Sequence, residues 1–297
     1  MYYRRKILLT LLELSNNSLE KIRLHKLLLI ISENQQNKTY NFVPNKFGCY
    51  SFQANADLNT LKTYGLVKES DIYWYKVDKK NYYNQLNSDD KILIKKVINE
   101  FGTLSTKELV KYTYINYPYY ATKSIIASKL LASDELKIIN REISNQKTGN
   151  RKTLYTIGYE GLNIEQYLNK LIRNNVKVLC DVRRNPVSMK YGFSKNQLMR
   201  ACNSLHIKYF HFPSLGIASE MRQSLETQND YDLLFEAYKS TVLKNEIVPQ
   251  KLIVELIRLY NNVAITCFES DINKCHRTHL ANVLTKTEGW NLNLIHL

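Results

Sequence analysis

The sequence predicts an α/β protein built from two parts. The C-terminal part is expected to be a Rossmann-like, doubly wound parallel sheet of about five strands, and the N-terminal part a mainly helical, winged-helix-like domain. Three observations predict this. The 297 residues exceed the roughly 100–200 residues of one ordinary domain. A polar stretch without hydrophobic periodicity covers 144–152, as linkers do. The hydrophobic pattern also differs on its two sides, so we expect domains at 1–145 and 146–297.

Short apolar runs alternate with helical patterns in the C-terminal part. The runs are rich in β-branched and aromatic residues and predict strands at 154–157, 176–180, 207–212, 263–267 and 292–295. Apolar residues at helical spacing predict helices around 163–173, 195–205, 230–244, 249–260 and 275–286. Strands that alternate with helices pair in parallel through crossover helices. This alternation predicts the doubly wound sheet.

Helical spacing dominates the N-terminal part. Leucine and isoleucine recur at this spacing within 7–14 and 22–31, and a third helix runs from Ala54 to Gly65. The run 72–77 predicts a short strand. Further helices are predicted at 89–101, 105–116 and 121–132. Several small helices around a short aromatic strand are typical of a winged-helix module.

The chain is strongly basic. It has 42 Lys and Arg residues against 27 Asp and Glu residues, a net charge of +15. Such a field favours polyanions, with nucleic acid (DNA before RNA) or a nucleotide first, and an acidic membrane surface or an acidic protein second. A proteome in which basic proteins are common is the alternative explanation. Five cysteines suit a reducing compartment, and no apolar run approaches the ~20 residues of a membrane span, so we expect a cytoplasmic protein without a membrane partner.

Unusual residues collect where the predicted strands end. The first strand leads into Gly158-Tyr-Glu-Gly161, the second into 181–188, the third into 211–216 and the fourth into 267–277. In open α/β sheets, ligands bind beyond the carboxyl ends of the strands. We therefore expect the site at this edge, with Gly158, Tyr159, Glu160 and His211 among its ligand-binding residues.

The second of these loops suits an anion. Asp181 and Arg183 point the same way along the strand, where they can pair, and both are expected at the rim of the sheet. Arg183, with Arg184, offers guanidinium groups for a phosphate or carboxylate, and Ser188 adds a hydroxyl donor. The alternative is a purely structural Asp–Arg pair.

The loop Cys267-Phe-Glu-Ser-Asp-Ile-Asn-Lys-Cys-His-Arg277 leaves several interpretations open. We expect Asp271 or Asn273 to cap the following helix. A helix N-terminus favours anions and activates thiols.

One interpretation of this loop is an anion-binding or acid–base site that uses Glu269, His276 and Arg277. A second makes Cys275 a thiolate nucleophile. A third is zinc on Cys267, Cys275 and His276 with one more ligand, but the spacing matches no standard pattern, so we assign no metal and require no cofactor. A structural role, with the cysteines as buried apolar residues, is the fourth.

Four motifs in the same order resemble the "domain of unknown function 488" family. They are YTIGYEG, DVRRNPVS, Tyr209-x-His-x-Pro-x-Leu-Gly216 and Cys-x-Glu-x5-Cys-His-Arg, and the likeness covers about 154–297. The resemblance implies a Rossmann-like domain of bacterial or archaeal type without a settled activity. Family members commonly have His-Ser after the first glycine, where this chain has Tyr159-Glu160. The family's motif residues correspond here to Gly158, Asp181, Arg183, Pro186, Ser188, Tyr209, Pro213, Leu215, Gly216, Cys267, Glu269, Cys275, His276 and Arg277.

The N-terminal part resembles Panacea (SocA-like antitoxin) domains. The resemblance rests on Phe47-Gly-Cys-Tyr-Ser-Phe followed by Asp57-Leu-x2-Leu-x3-Gly-Leu66, with Cys49 in place of the family's proline. It implies a module that binds protein or nucleic acid in toxin–antitoxin or phage-defence settings. Tyrosines interleaved with lysines over 62–96 suit nucleic-acid contact by stacking and charge, although such aromatics more often form core.

Two hypotheses about function follow. The first is an enzyme acting on a nucleotide or nucleic-acid ligand, in which Arg183 and Arg277 hold the anion. Glu269, with His276 or Asp181, transfers protons, and Cys275 is the reserve nucleophile. The second is a non-catalytic, DNA-binding sensor or regulator that recognises a nucleotide or modified base in the same pocket.

Overall fold

A computed structural model describes residues 1–145, 152–222, 225–286 and 292–297 of the chain. The chain folds into two compact units, Met1–Asn145 and Gln146–Leu297. Most of the polar linker expected at 144–152, namely 146–151, lies outside the described residues.

The N-terminal unit is helix-rich, as predicted. Its helices are α1 (Tyr3–Leu14), α2 (Lys21–Asn34), α3 (Phe52–Thr63), α4 (Ser88–Phe101), α5 (Thr106–Asn116), α6 (Ala127–Leu130) and α7 (Ser133–Ser144). The apolar faces of α1 to α5 contribute to one core, which confirms the periodicity in those segments.

The helix predicted at 121–132 is wrong. A 3-10 turn (Pro118–Ala121), irregular chain and the four-residue α6 occupy this region, and α7, which was not predicted, begins at Ser133. The β-branched Ile125 and Ile126 favour helix only weakly. The amide of Ile125 instead donates to the carbonyl of Lys46 at 3.0 Å, which holds the segment in a non-helical path.

Five short strands complete the N-terminal unit. They are β1 (Ser18–Glu20), β2 (Val43–Asn45), β3 (Gly48–Tyr50), β4 (Val67–Glu69) and β5 (Tyr73–Lys76). The order β1-β5-β4 forms one antiparallel sheet, and β2 pairs with β3. Only β5 was predicted, because three-residue strands are too short to show periodicity.

The β2–β3 hairpin explains the glycine of the Phe47-Gly-Cys-Tyr-Ser-Phe stretch. Gly48 has a φ of +93°, and a Cβ there would lie 2.4 Å from the Nζ of the buried Lys26. That ammonium donates to the Phe47 carbonyl at 2.6 Å. Ser51 then caps α3 by accepting from the Ala54 amide at 3.1 Å. The motif therefore folds the hairpin over a buried lysine and starts a helix.

The C-terminal unit contains a five-stranded parallel sheet with flanking helices, which confirms the predicted fold class. Its elements are β6 (Thr153–Gly158), α8 (Ile164–Arg173), β7 (Val178–Asp181), α9 (Lys195–Ser204), β8 (Lys208–His211), α10 (Gln228–Tyr238), α11 (Ile247–Tyr260), β9 (Asn262–Cys267), α12 (His276–Thr285) and β10 (Asn293–His296). The strand order is β10-β6-β9-β7-β8, and every neighbouring pair is parallel. The predicted helix 230–244 is α10 continued by a π-helical segment, Lys239–Leu243.

Helices cover both faces of this sheet. Val263 and Ile265 of β9 share one apolar cluster with residues of α10, α11 and α12. Because side chains alternate along a strand, Ala264 and Thr266 point to the opposite face. The connections after β6 and β7 run one way along the sheet and those after β8 and β9 the other. Right-handed crossovers then place α8 and α9 opposite α10 to α12.

Within the described residues, no helix is long and apolar enough to cross a membrane.

Candidate functional site

Three strand ends meet at the centre of the carboxyl edge of the sheet. β9 lies between β6 and β7, and Cys267 is paired with Gly158 while Thr266 is paired with Asp181. The chain leaves β9 toward β10 and leaves β7 toward β8, in opposite directions. Ligand crevices in open α/β sheets form at such divergence points. Three of the four polar loops therefore start side by side at the predicted edge.

Close backbone contact joins the loop after β6 to the loop after β9. A Cβ on Gly158 would lie 1.9 Å from the carbonyl oxygen of Glu269, so only glycine fits. The amides of Tyr159 and Glu160 donate to the Phe268 carbonyl at 3.0 and 2.9 Å. The Glu160 carboxylate accepts from the amide and hydroxyl of Ser270, both at 2.9 Å. These bonds lower the pKa of Glu160 and fix the backbone that carries Glu269.

Four side chains of the Cys267–Arg277 loop converge into what we call the thiol cluster: Cys267, Glu269, Cys275 and His276. One ligand atom of each lies within 4.8 Å of the others. The Glu269 carboxylate oxygen is 3.0 Å from Cys267 Sγ and 3.1 Å from Cys275 Sγ. Cys267 Sγ is 3.6 Å from His276 Nδ1. The two cysteines and the histidine are buried, and Glu269 is partly exposed.

Local structure explains why these side chains meet. Cys267 is the last residue of β9 and points to the α12 side of the sheet, as Val263 and Ile265 do. The chain bends at Phe268, and the Glu269 carboxylate then lies 3.0 Å from Cys267 Sγ. A 3-10 turn, Ile272–Lys274, then reverses the chain, and Cys275 is the N-cap residue of α12. Asp271 caps the 3-10 turn by accepting from the Asn273 amide at 2.9 Å. The expectation that Asp271 or Asn273 caps the long helix is therefore wrong.

A backbone carbonyl orients His276. Its Nε2 lies 3.2 Å from the carbonyl oxygen of Val182, which can only accept, so Nε2 carries a proton. Nδ1 faces Cys267. The Tyr238 ring packs edge-on against the imidazole at 5.4 Å. The imidazole is therefore held with Nδ1 directed into the thiol cluster.

The two thiols of the cluster differ in acidity. Burial alone would raise the pKa of Cys267, but a hydrogen bond from Cys275 and the charge and hydrogen bond of His276 outweigh it and lower that pKa. Burial and the adjacent negative charge of Cys267 raise the pKa of Cys275. Cys267 is thus the more acidic thiol, and Cys275 Sγ also lies 3.1 Å from the Glu269 carboxylate. Sequence reasoning had named Cys275 as the reserve nucleophile.

Arg277 supports the loop from inside. It is only 1% exposed, and its guanidinium donates to the carbonyls of Glu269 and Ser270. Its Nε has no hydrogen-bond partner among the described residues. The charge of Arg277 counteracts the rise in the Cys275 pKa. Arg277 therefore neutralises and positions the thiol cluster, and its contacts do not leave it exposed to an external anion.

Asp181 and Arg183 form a second buried group. Arg183 Nε donates to the Asp181 carboxylate at 2.8 Å, and a second guanidinium nitrogen bonds its other oxygen. The third nitrogen donates to the Tyr159 hydroxyl at 3.0 Å and the Phe193 carbonyl at 2.9 Å. Tyr209 donates its hydroxyl to Asp181 at 2.6 Å. Burial alone would lower the Arg183 pKa, but the bonds and charge of Asp181 raise it.

The two groups lie on opposite faces of the sheet. Cys180 and Val182 belong to the apolar cluster on the α12 face, so the intervening Asp181 points to the other face, and Arg183 follows it. Arg183 is 5% exposed and does not reach the rim. The interpretation that Asp181, Arg183 and the Cys267–Arg277 loop line one shared anion pocket is not what the structure shows: strand alternation separates them.

The remaining predicted residues lie around this edge. Arg184 is exposed. The Ser188 hydroxyl accepts from the Lys190 amide at 3.1 Å and orders its own loop. Nε2 of His211 lies within hydrogen-bonding distance of the Arg183 carbonyl oxygen, at 2.9 Å. Of Arg184, Ser188 and His211, only Arg184 is exposed enough to bind an anion from solvent.

An exposed apolar and basic rim adjoins the cluster. Phe268, between Cys267 and Glu269, is 44% exposed and packs edge-on against the Tyr159 ring at 5.2 Å. Lys190 donates to the Tyr159 carbonyl at 3.3 Å. Val187 and Met189 of the same loop are exposed. The exposed Phe268 ring and the partly exposed Lys190 thus both contact Tyr159 at this edge.

Sequence reasoning missed several of these residues. Cys267 was considered only as a zinc ligand or a buried apolar residue, and not as the more acidic thiol of the cluster. Phe193 and Phe268 were not proposed as site residues, and Tyr209 was named only as a motif residue of the family resemblance. No sequence pattern signals that a tyrosine hydroxyl or a loop carbonyl will meet Arg183, because those contacts join distant segments.

Comparison with known proteins agrees with the family resemblance of the C-terminal part. Residues 163–284 match the family described as "Domain of unknown function DUF488". The resemblance stated from the motifs is thereby confirmed for the C-terminal half. A search of the curated proteins found no match for the chain.

Proposed function

We propose that the C-terminal unit is an enzyme domain that acts on a phosphate-bearing ligand, a nucleotide or a nucleic acid. The N-terminal unit recruits nucleic acid or a protein partner. The observation that carries this proposal is the thiol cluster, four titratable side chains within 4.8 Å at the carboxyl edge of a parallel sheet. Titratable groups with perturbed pKa values concentrate at functional sites.

Glu269 is the residue to which we assign proton transfer. It is the partly exposed member of the cluster, so a ligand at the rim reaches it first. Its carboxylate already contacts both thiols, which makes it a route for protons between the buried cluster and a bound ligand. Asp181 and Arg183 keep a positioning role, because their charged groups are satisfied by each other and by buried neighbours.

The rim supports a nucleotide-like ligand. A base can stack on an exposed aromatic ring such as Phe268, and a phosphate can pair with Arg184 or Lys190. The chain as a whole carries a charge of +15, which raises the local concentration of polyanions. A cleft of about 620 Å³ beside α12 is lined by two acidic residues, Asp232 and Glu236, and by Lys239, so it offers a phosphate less net positive charge than the rim.

The N-terminal unit offers a surface suited to nucleic acid. On β5, Trp74 is buried whereas Tyr73 and Tyr75 are 40% and 39% exposed, with ring centroids 6.0 Å apart. Lys68 of β4 is paired opposite Tyr75 and is exposed. Two neighbouring aromatic faces beside a lysine are the arrangement that stacks successive bases of a single strand. We place the protein in the cytoplasm, since all five cysteines are free thiols.

A variant at Glu269 tests the enzyme proposal. The full chain is incubated with a panel of nucleotides and short DNA and RNA strands, and products are followed by mass spectrometry. Glu269→Gln should lower turnover by about 100-fold or more, since general acid–base catalysis contributes 10²–10⁴-fold, while ligand affinity stays within about twofold. Glu255→Gln, an exposed glutamate of α11, is the matched control and should behave as wild type.

The second candidate is a sensor that binds without turnover. The burial of Cys267, Cys275 and His276 favours it, because these groups are shielded from substrate. Salt-sensitive nucleic-acid binding by the wild type, with every member of the panel recovered unchanged, would support the sensor and exclude the enzyme. Full turnover by Glu269→Gln would contradict the role assigned to that residue.

A further inference from the structure

We propose that the thiol cluster is a metal site that holds one zinc ion through Cys267 Sγ, Cys275 Sγ, His276 Nδ1 and a carboxylate oxygen of Glu269. The inference concerns metal content alone. It requires no substrate, and its test reads metal content, which the enzyme proposal does not predict. Both thiols contact Oε2 of Glu269, so this oxygen is assigned to the ion and Oε1 is left for the proton transfer proposed above.

The spacing of the donor atoms fits one small ion. In a tetrahedral zinc site, bond lengths of about 2.0–2.3 Å place neighbouring ligand atoms about 3.5 Å apart. The observed separations are 3.0 Å and 3.1 Å from Glu269 to the two sulfurs and 3.6 Å from Cys267 to His276. All four atoms lie within 4.8 Å of one another. A small shift of each side chain therefore encloses a single cation.

The donor set selects the kind of metal. Two sulfurs, one imidazole nitrogen and one carboxylate oxygen favour zinc over magnesium or calcium, which prefer sets composed only of oxygen. On binding, each thiol forms a bond to the metal and releases its proton to solvent. The metal neither gains nor loses electrons, so no oxidant or reductant is required.

The surroundings of the cluster match those of a metal site. A ligating histidine usually donates its second ring nitrogen to a carbonyl or carboxylate, which fixes the tautomer. His276 makes this contact with Val182 at 3.2 Å. The Gly158 and Glu160 turn fixes the Glu269 backbone, and Arg277 donates to its carbonyl.

The charges also balance. Two thiolates and a carboxylate bring three negative charges into a largely buried space, which is costly without compensation. A divalent cation and the buried guanidinium of Arg277 supply three positive charges. The cluster with zinc and Arg277 is therefore neutral.

The test is metal content and the spectrum of a cobalt substitute. We expect about one zinc per chain in protein purified without chelators. Apo-protein titrated with Co²⁺ should develop an intense thiolate-to-cobalt charge-transfer band and the visible bands of tetrahedral cobalt. Cys275→Ala should weaken binding of Co²⁺ and Zn²⁺ by more than about 100-fold, since even outer-shell changes cost 10–100-fold.

Buried cysteines elsewhere in the unit provide the control. Cys202 of α9 is buried and lies outside the cluster, so Cys202→Ala should bind metal as the wild type does. Absence of both stoichiometric metal and a cobalt charge-transfer band in the wild type would overturn the proposal, whatever happens to the variants' folding. So would equal loss of metal in the two variants, or a Cys267–Cys275 disulfide in the purified protein.

Discussion

Asp181 and Arg183 form a hydrogen-bonded ion pair inside the C-terminal unit, two residues apart at the end of β7. Arg183 bonds both carboxylate oxygens, and Tyr209 donates a further hydrogen bond to one of them. Asp181 is 0% exposed and Arg183 is 5% exposed. Removing one partner leaves the other charge buried without its counterion.

Asp181→Asn should therefore destabilise the protein strongly. Loss of one member of a buried pair costs about 3–5 kcal/mol, measured as the free energy of unfolding in urea. Glu255→Gln breaks the exposed pair with Arg258 on α11 and should cost less than about 1 kcal/mol. Equal, small effects of the two substitutions would show that the Asp181–Arg183 pair contributes little to stability.

Gly158→Ala should disturb both stability and the thiol cluster. The new methyl would lie 1.9 Å from the carbonyl oxygen of Glu269, so the backbone carrying Glu269 must move. We expect a loss of about 1–3 kcal/mol in unfolding free energy, as for other overpacked sites, and a weaker cobalt spectrum.

Gly161→Ala is the control for that substitution. No atom lies within 4 Å of a Cβ at this position, whose φ is +76°, so the cost is left-handed backbone strain of about 1–2 kcal/mol. The cobalt spectrum should be unchanged. An intact spectrum in Gly158→Ala would contradict the link between this glycine and Glu269.

Tyr73 and Tyr75 should contribute to nucleic-acid affinity through their ring faces. The double substitution Tyr73→Ala/Tyr75→Ala should weaken binding of a labelled single strand about tenfold or more, since stacking contributes about 1–3 kcal/mol per base. Tyr73→Phe/Tyr75→Phe keeps the ring faces and should bind within about twofold of wild type. Fluorescence anisotropy at fixed salt measures both, and equal affinities in all three proteins would exclude the surface.

His25 should make the N-terminal unit less stable in acid. Burial, with a smaller effect of the charge of Lys26, lowers its pKa from 6.5 to about 3, and its Nδ1 accepts from the Ser51 amide at 3.4 Å. Below pH 6.5, His25 is protonated in the unfolded chain. In the folded chain it stays neutral until the pH is near 3. Stability from this group is thus complete above pH 6.5 and falls by up to about 1.4 kcal/mol per pH unit between 6.5 and 3.

His25→Asn removes the titrating group while keeping an acceptor for Ser51. The pH dependence of unfolding free energy should be shallower in this variant between pH 6 and about 4. Identical slopes in the variant and the wild type would show that His25 does not control the acid sensitivity.

The fold class followed from local patterns. Alternation of apolar runs with helical spacing after residue 152 was sufficient for a five-stranded parallel sheet, because period and strand length are local properties. The helix predicted at 121–132 was wrong because a non-local contact determines the structure there. There the amide of Ile125 bonds to Lys46, a contact far along the chain that no local pattern contains.

The sequence by itself determined that the polar loops after the strands meet at one edge of the sheet. Parallel strands deliver their C-terminal loops to one side, so Gly158, Asp181 and Cys267 had to end near one another. Only the tertiary structure decided which side chains lie on which face of the sheet. Strand alternation and the strand order place Asp181 and Arg183 against Tyr159 and Tyr209 on one face. The turn before α12 folds Cys275 and His276 back onto Cys267 and Glu269 on the other, and that convergence depends on three-dimensional packing that spacing along the chain does not encode.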